Sequence, residues 1–93
     1  MSTPTCPSLP LGQIVATPNA LDHITQTDIN AALQRHVKGD WGDLCAEDKE
    51  VNDLALVEGS RILSAYQAAN GTKFWIITEA SRAVTTVLLP EDY

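Results

Sequence analysis

The chain has 93 residues, six Lys and Arg against twelve Asp and Glu, and a formal net charge of −6. A hydrophobic content of 44 % excludes a disordered chain and gives one domain with one modest core. Arg35, Lys38, Lys49, Arg61, Lys73 and Arg82 are scattered, which excludes the basic stripe that direct nucleic-acid binding needs, and no run approaches the roughly 18 apolar residues of a membrane span.

Residues 1 to 10 carry Pro4, Pro7 and Pro10 among small polar residues. They lack the basic start and apolar run of a secretion signal and read as a flexible lead-in to a single domain over 11–93. QIVAT, 13–17, is rich in β-branched residues and is bounded by Gly12 and Pro18, which predicts a short strand. Thr17-Pro18 reads as an N-cap with Pro at the first helical position, opening a helix of one or two turns over 18–24. Thr27 starts the next helix. There Ile29, Ala32, Leu33, His36 and Val37 recur on one face, Asp28 suits the first turn, and Gly39 ends it. After the connector GDWGDL, Asp43 is placed to cap a helix from about Leu44 to Glu58, with Val51, Leu54, Ala55 and the stem of Glu58 as its buried face and Gly59 as its stop.

The last third changes character. RILSAYQ, TKFWIITEA and VTTVLLP are apolar runs separated by Asn70-Gly71 and by a turn at Ala80-Ser81-Arg82. They predict a three-stranded antiparallel meander, with Phe74, Ile76 and Thr78 on one face and Trp75, Ile77 and Glu79 on the other. Pro90 ends it before a short acidic tail. The order of the main elements is β-α-α-β-β-β, an α+β fold with helices on one face of the sheet. Strand 13–17 joins at an edge, which leaves room for a homo-oligomer through that sheet edge.

The segment 36–53, HVKGDWGDLCAEDKEVND, concentrates the candidate chemistry. It holds His36, Trp41, Cys45 and six of the twelve carboxylates. No CxxC, HxxxH or calcium-loop spacing supports a metal. His36 falls on an apolar helix face and reads as a buried, hydrogen-bonded residue. Cys6 and Cys45 make no disulfide framework, and Cys45 has no basic neighbour to lower its pKa. Trp41 reads as a plug at the helix–sheet junction. There is no cofactor loop, so no cofactor is expected. The acidic segment then serves as an interaction surface, with Asp40, Trp41, Asp43, Glu47, Asp48 and Glu50 as its residues and a basic protein as the partner that its charge suits.

GDWGDLCAEDKEVND, followed by GSRILSAYQ and GTKFWIITEASRAVTTVLLPEDY, resembles a family of roughly 100-residue bacterial proteins. These are carried on plasmids, integrative elements and integron cassettes. The resemblance runs from about Leu11 to Tyr93. Ser81 departs from it, since the family pattern has Asp there. It implies a cytoplasmic accessory protein of mobile DNA and supplies no chemistry. Together the readings favour a non-enzymatic interaction module. The alternatives are a toxin-like small RNase using Arg35, His36, Arg61 and Arg82, or a metal-dependent hydrolase using Asp40, Asp43 and Glu47.

Overall fold

The computed structural model describes residues 9–93. In chain order these form β1 (Gln13–Ala16), α1 (Pro18–His23), α2 (Gln26–Val37), α3 (Ala46–Glu58), β2 (Ile62–Gln67), β3 (Lys73–Thr78), β4 (Val84–Leu88) and a 3-10 turn (Pro90–Asp92). The fold is α+β, as expected. Residues 1–8 of the expected lead-in lie outside the described residues. Leu9 is buried, and its N–H donates to the Val37 carbonyl at 3.2 Å, so this residue of the expected lead-in packs into the domain.

The four strands make one sheet in the order β1-β4-β3-β2. β2, β3 and β4 form the antiparallel meander. β1 joins its β4 edge in parallel, with Val15 opposite Thr86. Local chemistry sets the helix starts. The Thr17 hydroxyl accepts the Ala20 N–H at 3.2 Å, with Pro18 in the first turn. Thr25, rather than Thr27, caps α2, and its hydroxyl accepts the Asp28 N–H. Asp43 does not cap α3. Cys45 occupies the cap position with no side-chain bond, and the helix begins at Ala46. The delay has a physical reason: the Trp41 carbonyl and the Asp43 N–H are bonded to Ala65 of β2, and the helix cannot start until the chain leaves that strand. Gly59 ends α3 in a left-handed conformation, φ +80°.

Alternation along the strands puts Tyr66, Phe74, Ile76, Val87 and Leu89 on one sheet face. Ala20, Ile24, Ile29 and Ala32, from α1, α2 and the residue between them, pack there. A second cluster, Leu9, Trp41, Ala55 and Ile62, seats α3 at the far end. Trp41 is 3 % exposed and plugs this junction, its indole N–H donating to Asp53 Oδ1 at 2.9 Å.

The outer edge of β2 is closed. Ala65 N–H donates to the Trp41 carbonyl at 3.1 Å, and Asp43 N–H donates to the Ala65 carbonyl at 2.8 Å. Gly42 lies so close to β2 that a Cβ there would sit 1.9 Å from the Ala65 oxygen, and its φ is +76°. Only glycine fits that approach. One residue pair along, Asn52 of α3 covers Leu63: its amide donates to the carbonyl at 2.6 Å and its oxygen accepts the N–H at 3.3 Å.

Candidate interaction surface

The expected buried face of α3 is inverted. Val51 and Leu54 are 62 % and 55 % exposed, while Asn52 and Ala55 are the residues that bury. The reason is the edge that α3 covers. A sheet edge offers backbone N–H and C=O groups, so the helix meets it with an amide side chain and a methyl. The apolar periodicity is left to point outward. Glu47, Glu50, Val51, Leu54, Val57 and Glu58 stand at helical spacings of three and four and form one stripe, with Val57 85 % exposed. Five carboxylates and one lysine lie within α3. A cleft of about 270 Å³ runs between this helix and β2, lined by Leu44, Asp48, Val51, Asn52, Arg61 and Leu63.

Arg82 fixes the other end of the helix. It sits in the β3–β4 turn at φ +62°. Its guanidinium donates to the Ala55 carbonyl at 3.0 Å and to the Ser60 carbonyl at 2.7 Å. α3 has no basic residue in its own last turn, so Arg82 supplies the positive charge that a helix C-terminus favours. Ser81, where the resembled pattern has Asp, accepts the Ala83 N–H at 3.2 Å within the same turn.

The six residues expected to form the surface separate into four groups. Glu47, Asp48 and Glu50 are exposed on α3. Asp43 lines a different cleft, beside Lys73 and Trp75. Asp40 is engaged by Arg35, with N–O distances of 2.8 and 3.2 Å. That hydrogen bond holds the Asp40 carboxyl below the usual carboxylate range and raises the Arg35 guanidinium. The Arg35 guanidinium also lies over the Tyr66 ring, 4.9 Å from its centroid. Trp41 lies beneath the surface. Val51 and Leu54, expected inside, stand on the surface beside Val57, Leu44 and Leu63, on which the sequence reading places no surface role.

His36 is fully buried between α2 and the sheet. Thr85 donates its hydroxyl proton to the Leu11 carbonyl at 2.7 Å. The Thr78 hydroxyl must therefore donate to Thr85, and its oxygen accepts from His36 Nε2–H at 2.8 Å. His36 Nδ1 then accepts from the Ser64 hydroxyl at 2.5 Å. This order of donors closes with a neutral imidazole. Burial, then the charge of Arg82, pushes the His36 pKa down to about 4. His36 has no exposed edge with which to meet an RNA. Arg61 donates to the Tyr93 hydroxyl at 2.8 Å and Arg82 holds α3, so the residues a nuclease would need are spent separately. Among the described residues, no three His, Cys, Asp or Glu side chains gather closely enough to hold a metal ion. No helix among them is long and apolar enough to cross a membrane. Cys45 is a free, exposed thiol.

Comparison with known proteins finds no matching family model, curated protein or solved structure.

Proposed function

We propose that the chain is a non-enzymatic protein-interaction module, acting in the cytoplasm as an accessory protein of mobile DNA. Its docking surface is the outward stripe of α3. One observation carries the reading: Val51, Leu54 and Val57 are more than half exposed on a helix that also presents Glu47, Asp48, Glu50 and Glu58. Three large apolar residues in line on a small protein mark a contact surface better than they mark a solvated one. The carboxylates beside them select a partner segment that combines Lys or Arg with apolar side chains, since such charges speed encounter and reject acidic partners. The segment would lie along α3 and enter the Leu44–Leu63 cleft, where Arg61 sets its limit.

The test is affinity purification of the tagged protein from a bacterial host, followed by hydrogen exchange on the complex. A stoichiometric partner should protect α3 and be lost on combining Glu47→Lys, Asp48→Lys and Glu50→Lys. A partner retained by that variant, or protection that avoids α3, would refute the reading.

A further inference from the structure

The sheet has two edges, and the protein treats them differently. β2 is closed by the 41–43 loop and by Asn52. Among the described residues nothing pairs with the outer edge of β1. Its open groups follow from the parallel register. Gln13 N–H donates to the Ala83 carbonyl and Thr17 N–H to the Val87 carbonyl, both at 2.9 Å. In a parallel ladder every second residue turns its backbone to the partner. Gln13, Val15 and Thr17 therefore face β4, and Ile14 and Ala16 direct their N–H and C=O groups away from it.

From this geometry we propose that β1 pairs with β1 of a second copy, antiparallel, about a two-fold axis through Val15. The occupant follows from three observations. First, the pattern is its own complement. With Val15 opposite Val15, Ile14 falls opposite Ala16 of the second copy, and each such pair exchanges two hydrogen bonds, so all four outward groups on each strand are satisfied. Pro18, which has no N–H to offer, lies just past the paired stretch. Second, β1 itself carries no charge. No charged side chain occurs before Asp22, and the carboxylate at the strand's end, Asp92, is taken up by Thr17 and Asn19. No like charges therefore face each other strand to strand across the axis. Third, the edge lacks the usual defences. It has no lysine, no inward-pointing charge and no bulge. Instead Ile14 is 49 % exposed, Val15 38 % and Leu21, in the helix that follows, 57 %.

The assembly closes. A two-fold contact consumes both β1 edges, and the β2 edges at the far ends are already covered, so growth stops at a dimer. The result is one eight-stranded sheet in the order β2-β3-β4-β1-β1-β4-β3-β2. The two α3 helices, each beside a β2 strand, then lie at opposite ends. The dimer presents two separate acidic surfaces. Its existence does not depend on what binds them.

The full chain tests this by sedimentation and amide exchange across a concentration series. The 10.1 kDa chain should sediment at twice its mass when concentrated. Ile14 and Ala16 amides should exchange slowly in the dimer and quickly on dilution, while Val15, bonded to β4, stays protected throughout. Val15→Lys and Val15→Glu place like charges directly across the axis, and each should halve the mass. Mixing the two should restore it. That rescue reports on the axis and not on folding. If the two variants fail to fold, the exchange measurement on the unaltered chain still decides. A wild-type monomer at every concentration would overturn the proposal. So would a Val15→Lys dimer, or Ile14 and Ala16 amides whose exchange does not change with concentration.

Discussion

His36 stays neutral in the folded protein because burial disfavours the charged imidazolium in a place water does not reach, and the charge of Arg82 adds to this. This has a definite effect on stability. The unfolded side chain titrates near 6.5, and the folded one at about 4. Between those values the unfolded chain binds a proton that the folded chain refuses. Stability is therefore full above pH 6.5 and is lost as pH falls toward 4, by about 3 kcal/mol in total, with no further loss from this group below that. Asp40, held low by Arg35, and Asp92, held low by Thr17 and Asn19, act in a separate and more acidic window. Urea midpoints measured from pH 7.5 to 4.5 should hold down to about 6.5 and then fall in the wild type, and stay nearly level throughout in His36→Gln. An equal slope in both would place the effect elsewhere. The location of His36 was legible, because its place in the 3.6-residue pattern put it on the buried face of α2. Its partners were not. Ser64, Thr78 and Thr85 are brought to it by strand register, and register is a property of three strands together.

The same distinction runs through the elements. Those with strong local signals were legible: β1 between Gly12 and Pro18, the Thr17-Pro18 helix start, and the Asn70-Gly71 hairpin. The parallel partner of β1 was not, because nothing local to QIVA specifies Val84–Val87. α3 shows a different failure. Its apolar spacing is real, but the helix lies against a sheet edge, where polar groups are what must be buried. Asn52 is the residue that resolves this. Asn52→Ala leaves the Leu63 N–H and C=O without partners and should cost about 1–3 kcal/mol. It also reopens a strand edge. The variant should then form species larger than any the wild type shows, growing with concentration. Asn52→Asp keeps an acceptor for the Leu63 N–H but sets a buried carboxylate oxygen against the Leu63 C=O, so it should destabilise at least as much as Asn52→Ala. Calorimetry with light scattering reads both effects. A variant as stable and as well dispersed as the wild type would mean that Asn52 does not seal the edge.

Across the whole molecule, charge and chain ends are arranged together. Five of the twelve carboxylates lie on α3 at one side of the sheet, and the first strand, which carries no charge, lies at the other. The C-terminal residues close the structure between them. EDY reads in sequence as a loose acidic tail, yet Asp92 accepts from the Thr17 hydroxyl and from the Asn19 amide, both at 2.7 Å, and from the Leu89 N–H at 3.2 Å. It thus ties the end of the chain to the start of α1. Tyr93 meets Trp75 edge to face, with centroids 5.6 Å apart, and lies under the Arg61 guanidinium. This places the ring on the sheet face opposite α1 and α2. Removing residues 91–93 should therefore loosen two regions distant in sequence. The melting temperature should fall by several degrees, and amide exchange should quicken both in α1 and around Trp75. Asp92→Asn, which keeps Tyr93, should quicken exchange in α1 alone. If the truncated chain exchanges like the wild type in both places, the tail is only resting on the surface. In that case the order of α1 comes from its own Thr17 cap and from Ala20 and Ile24 in the core.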